Sequence, residues 1–169
     1  MENEEEIEIL AEGEGLADIE MIRLPRGSAA REIVAAVGVK SGFPAEQGFL
    51  FVEDCEEPVD LALVVEKVER AKVHHVHRVR KIEARVFYQG RRIENSFSPS
   101  TRVQRVLDWA IGPKGFKIDP VIAPEMELAL VDHKTALPKN AHIGRYVRHP
   151  RPELDLDLIR GVVPNGASL

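Results

Sequence analysis

Leu154-Asp155-Leu156-Asp157-Leu158 alternates leucine with aspartate without a break. A period of two sends every leucine to one side of an extended chain and every aspartate to the other, so one face enters a core while the other meets water. Such a strand needs partners in a sheet and a covering layer, and the residues before it supply both. Lys81 to Gln89 alternates in the same way, with Ile82, Ala84, Val86 and Tyr88 on one side and Glu83, Arg85, Phe87 and Gln89 on the other. Gly90-Arg91 turns the chain, and Ile93 to Phe97 returns as the second strand of a hairpin.

The covering layer follows at once. Ser98-Pro99-Ser100 reads as a helix start with proline near the first turn, and Val103, Val106, Leu107 and Ala110 recur at helical spacing, so one face lies over the hairpin. Gly112-Pro113 ends the helix and Trp109 stands at its edge. Glu127 to Val131 reads as a third strand, then Ala136-Leu137-Pro138 and Ala141-His142-Ile143 as a short strand and a tight turn. The order is strand, strand, helix, strand, short strand, strand.

The first half repeats this order. Glu6 to Ala11 and Ile19 to Leu24 form a hairpin around Gly13 and Gly15, and Ser28 is the expected N-cap of a helix that buries Ile33, Val34 and Val37, with Gly38 near its end. Phe49 to Val52 is the next strand, Leu61, Val64, Val65 and Val68 fit a short helical turn, and Val73 to Val79 closes the unit. Two such units make an α+β chain with one helix packed on each sheet.

Composition agrees with two small soluble units. The chain has 169 residues, 44% hydrophobic and 30% charged. Apolar runs such as Leu61 to Val65 are far too short to cross a bilayer. The Met1-Glu2-Asn3-Glu4-Glu5-Glu6 start is acidic where a secretory signal needs positive charge, so a cytoplasmic location is expected. Residues 1–79 carry 8 Lys and Arg against 18 Asp and Glu, a net −10, while residues 80–169 carry 15 against 10, a net +5. An acidic partner would be steered to the second half, but its cations are scattered with no aromatic stacking run, so nucleic acid is not favoured.

Several local strings resemble ubiquitin. Phe97-Ser98-Pro99-Ser100-Thr101-Arg102-Val103 looks like its approach to the helix; Leu128 to Lys134, Leu137 and Ile143-Gly144-Arg145-Tyr146 parallel its third strand and closing segment; Leu154 to Leu158 parallels its last strand. In the first half, Val73 to Arg80 stands where a last strand and Arg-rich exit would be. In length and element order the chain resembles tandem ubiquitin-like modifiers: the interferon-induced two-domain modifier of vertebrates and, more closely, BilA-type modifiers of bacterial anti-phage conjugation systems. The resemblance implies two tandem ubiquitin-like β-grasp domains, over 6–79 and 80–160, between an acidic N-terminus (1–5) and a processed, flexible tail (161–169). It also implies a protein that is no enzyme and needs no cofactor, with an ATP-using activating enzyme, a conjugating enzyme, a zinc-dependent deconjugating protease and a target protein, such as one of phage, as partners.

A modifier's terminal carboxylate must thread a narrow channel, which suits glycine because it lacks a side chain. No diglycine is present. Gly161, which follows Arg160 as in the usual tail pattern, and Gly166 are the two candidates for the mature end. At about 3.3 Å per extended residue, Gly161 reaches about 7 Å beyond Ile159 and Gly166 about 23 Å, so reach favours Gly166. No glycine pair follows Arg80, so the two halves are expected to stay fused. A non-covalent tandem adaptor is the alternative; a sulfur carrier fits poorly, since such carriers usually have one domain and end in diglycine.

Other constellations read blandly. Cys55, the sole cysteine, sits among Asp54, Glu56 and Glu57, which disfavour a reactive thiolate. His74, His75 and His77 hint at metal, but alternation lets at most two converge, and a solvated strand end is expected. Asp155 and Asp157 are the wet side of a strand, and Gly13-Glu14-Gly15 lacks the Lys-Ser or Lys-Thr of a phosphate loop.

Overall fold

The computed structural model describes residues 5–161. Most of the acidic N-terminal stretch and, in the tail, Val162 to Leu169 with Gly166 lie outside the described residues.

Two four-stranded sheets form, and they share one topology. In the first, β1 (Glu6–Gly13) pairs antiparallel with β2 (Glu20–Pro25) and parallel with β4 (His74–His77), which pairs antiparallel with β3 (Phe49–Val52). In the second, β5 (Ile82–Tyr88) pairs antiparallel with β6 (Arg91–Phe97) and parallel with β8 (Glu153–Arg160), which pairs antiparallel with β7 (Met126–Leu130). One helix packs on each: α1 (Arg31–Ser41) and α2 (Val103–Ile111). The fold is thus α+β, in two tandem ubiquitin-like β-grasp units.

Period-two patterning places the cores as expected. Leu154, Leu156 and Leu158 are buried with Ile82, Ala84 and Val86 beneath Val103, Val106, Leu107 and Ala110 of α2. Trp109 seals that edge against Phe97, ring centroids 5.6 Å apart. The first core joins Ile7, Ile9 and Ala11 of β1 to Ile33, Val34 and Val37 of α1, with Leu50, Val65 and Val76. Gly42 ends α1 in the left-handed region at φ 85°, a conformation that costs glycine nothing, and its N–H bonds to Gly38 O at 2.8 Å.

The helix starts differ from expectation. Ser28 is not the N-cap of α1: that position is Ala30, and the Ser28 hydroxyl donates to Pro25 O. Likewise α2 begins at Val103, beyond Ser98-Pro99-Ser100, with no side chain capping it from its own N-cap. The free N–H groups of a first turn must find acceptors, and here a crossing segment supplies them. Ala30 N and Arg31 N donate to Leu63 O and Leu61 O, while Val103 N and Gln104 N donate to Ala141 O and Lys139 O. The same device appears twice, marked by the matching bridges Ala29↔Val64 and Arg102↔His142. Each crossing segment then enters a 3-10 turn, Val65–Lys67 in the first unit and Ile143–Tyr146 in the second.

Candidate functional site

Two places gather chemistry: the end of β8, and the junction where the second unit sits on the outer face of the first sheet.

At the first, β8 runs between β5 and β7, and its last residue, Arg160, pairs with Met126 at the start of β7. The Arg160 side chain is 62% exposed and reaches Glu125. Gly161 N donates to Glu125 O at 2.6 Å. A Cβ on Gly161 would stand 3.0 Å from Glu127 Oε2 and 3.1 Å from Glu125 O, closer than ordinary packing. Gly161 is therefore tethered to the sheet rim rather than starting a free arm. Of the sequence-derived residues, Arg160 and Gly161 come together here, and Gly166 lies outside the described residues.

At the junction the three strand histidines are all fully buried, so the solvated strand end expected from the sequence is overturned. Alternation does hold: His75 and His77 share the outer face of β4, and His74 takes the other. What covers His75 and His77 is the stretch from His142 to Val147, with Pro99 packed beside Gly144. His77 Nε2 lies 3.0 Å from Gly144 O and 2.9 Å from Val147 O, while its Nδ1 accepts the N–H of Val79 at 2.9 Å. His75 stacks on His77 at 5.6 Å and faces His142, Nδ1 to Nδ1, at 3.2 Å. Burial pushes the pKa of all three down, and that of His75 furthest.

Opposite charges surround this cluster. Buried Glu12 takes Arg145 and His142 Nδ1, the latter at 3.1 Å, and Glu53 takes His142 Nε2 at 2.8 Å. Glu14, also buried, binds the Arg78 guanidinium through both oxygens at 2.9 Å and accepts the N–H of His149. Burial raises the Glu14 carboxyl, but Arg78 and the His149 N–H outweigh it and hold the group below its ordinary value. Asp54, left-handed at φ 60°, clamps Arg102 through its backbone N–H at 2.9 Å and its Nε at 2.6 Å, while Asp54 N donates to Ser100 O. Aspartate is among the few residues that tolerate that backbone region. At Gly144 a Cβ would meet His75 Nε2 at 2.5 Å and Pro99 O at 2.8 Å, so only glycine allows this approach.

Sequence reasoning missed Glu12, Glu14, Glu53, Asp54, His142 and Arg145. The usable signal was the charge asymmetry, since an acidic first half and a basic second half meet here. Gly13-Glu14-Gly15 does contain the hairpin turn, but Glu14 serves the junction. Cys55 is exposed, and no group of three His, Cys, Asp or Glu is arranged to hold a metal among the described residues. No helix among the described residues is long and apolar enough to cross a membrane. Residues 83–161 match the family model of BilA ubiquitin-like domain 2. No curated protein matches the chain.

Proposed function

We propose that this chain, a BilA-like ubiquitin-like protein, is a covalent protein modifier, processed to a C-terminal glycine and attached to target protein in bacterial anti-phage defence in the cytoplasm. The observation that carries the reading is the exit of β8: a central strand of the second sheet leaves at the rim, with Arg160 exposed on one side and glycine next in the chain. On an activating enzyme the terminal carboxylate would attack the α-phosphorus of ATP and release pyrophosphate. An enzyme thiol would then displace AMP to give a thioester, and a conjugating enzyme would pass the acyl group to an amine of the target. A zinc-dependent protease would reverse the bond. The chain itself is substrate throughout, not enzyme.

Gly166 suits the mature end better than Gly161. The Gly161 amide is held by Glu125 O, and a channel needs its terminal residues extended and free of their own sheet. Five further residues add about 17 Å of reach. With the cognate activating enzyme and ATP, the chain ending at Gly166 should form a thioester stable to acid and cleaved by thiol, seen as a shift on a non-reducing gel. The chain ending at Gly161 should form much less, and one ending in Gly166→Ala should lose most of it. A thioester that neither loss of Gly161 nor loss of Gly166 affects would end the covalent reading. Retained biological activity after deletion of residues 161–169 would favour the non-covalent adaptor instead.

A further inference from the structure

The junction between the two units buries three imidazoles among charges, and their hydrogen bonds dictate which rings can hold a second proton. His77 cannot. Its Nδ1 accepts the Val79 N–H, so the single proton sits on Nε2 and is donated to Gly144 O and Val147 O. A proton on Nδ1 would set two N–H groups against each other. His142 is bracketed by carboxylates: Glu12 and Glu53 face its two nitrogens at 3.1 Å and 2.8 Å. His75 lies between them. Its Nδ1 faces His142, its Nε2 has no partner, and the Gly144 backbone packs against that atom. A proton added to His75 would stand beside His142 and near Arg145 with no acceptor of its own.

We propose that His75 and His77 form a pH-sensitive latch between the two domains: with both rings neutral the second domain stays seated on the first sheet, and on acidification it lifts off while both cores remain folded. The cores have no part in the latch, because the two rings point away from the first core and toward Gly144, Val147, His142 and Arg145 of the second domain. Groups facing the rings from the neighbouring elements are Glu12 and Glu14 at the end of β1, Arg78 after β4, and His142 and Arg145 at the 3-10 turn. Glu14, 4.0 Å from His77 Nδ1, and the carbonyls of Val147 and Gly144 pull toward a charged His77 ring but are outweighed by its burial, and Glu14 is committed to Arg78 and the His149 amide.

The sign follows from where the proton goes. Released rings titrate near the ordinary histidine value of 6.5, and docked rings titrate lower, His75 well below it. As pH falls through that value the open state takes up more protons, so docking weakens by about tenfold per pH unit for each ring until the docked pKa is reached. Glu14, whose carboxyl is held below its usual 4.5, keeps its contribution through this window and loses it only at more acid pH.

Backbone amide exchange on the full chain tests the latch, since Asp54 N–H and Arg102 N–H bond across the junction. From about pH 7 to about pH 5.5, after correction for intrinsic exchange, protection at these two amides should fall by tenfold or more. Amides inside the sheets, such as Ile9 and Leu156, should keep theirs. His75→Phe, which fills the same stack and cannot titrate, should lose about tenfold less than the wild type per pH unit. Protection at Asp54 and Arg102 that persists at the lower pH, or that disappears together with the core amides, would overturn the latch. So would a His75→Phe loss equal to the wild type. Should that variant fail to dock at neutral pH, the wild-type comparison alone decides.

Discussion

A Leu156→Ala chain should lose about 2–5 kcal/mol of stability in its second domain, the range for truncating a buried leucine in a core that collapses only partly. Leu156 is fully buried, faces Val86 across β5 and Leu130 across β7, and stands at the middle of the central strand. A domain of this size has only about 5–15 kcal/mol in total. For so short a unit each kcal/mol moves the midpoint by about 4–8 °C, so thermal unfolding should shift down by at least about 8 °C. Trp109 is the sole tryptophan and lies in this domain. Its fluorescence therefore reports the transition without interference from the first domain. A shift of a degree or two would mean that the leucine face of β8 is not the core. The same variant should also loosen Arg160 and Gly161, which the strand carries to the rim.

β8 was legible because its information is local: alternation needs only the neighbours in sequence, and five residues suffice to fix both faces. The buried stripe of α2 was legible for the same reason at a different period. The helix starts were not. Ser28 and the Ser98-Pro99-Ser100 string are good helix starts by local rule, yet the acceptors for these first turns are carbonyls of Leu61, Leu63, Lys139 and Ala141, about thirty to forty residues away in the chain. A residue that caps in isolation is free for other work once a distant carbonyl takes its place, and Ser100 donates to Val52 O in the first domain instead.

The histidines mark a second limit. Period two correctly set His75 and His77 on one face, but no sequence period says what covers the outer side of a sheet. The signal lay in bulk charge, −10 in one half and +5 in the other, and that asymmetry is partly spent at the junction through Glu12, Glu53 and Asp54 against Arg145, His142 and Arg102. Although the two sheets share a topology, their outer faces have diverged. The first is closed over Phe51, His75 and His77, whereas the second presents the Arg85–Asp155 pair, 32% and 41% exposed. Duplicated order therefore does not mean duplicated surface. For the tail, reach in the sequence leans to Gly166 over Gly161, while the tether of the Gly161 amide to Glu125 O is a contact that no sequence period carries.

Glu12→Ala should separate the domains without unfolding either. Glu12 sits on β1 between the core residue Ala11 and Gly13, but its own side chain leaves from the outer face, where it is almost wholly buried against Arg145 and His142. Removing one member of a buried ion pair costs about 3–5 kcal/mol, because the partner stays desolvated and uncompensated. Arg145 is 24% exposed and His142 keeps Glu53, so the lower end applies. About 3 kcal/mol weakens docking by about 150-fold. Small-angle scattering should show a larger radius of gyration, while the Trp109 transition stays within about 2 °C of the wild type. Glu8→Ala is the matched control. Glu8 shares the outer face of β1 and carries the same charge, but it is solvated and pairs with an equally solvated Arg23 at 3.3 Å. Its loss should change stability by about 0.5 kcal/mol or less and leave the radius unchanged. If the two variants expand alike, the overall negative charge of the first sheet, rather than one desolvated carboxylate, holds the domains together.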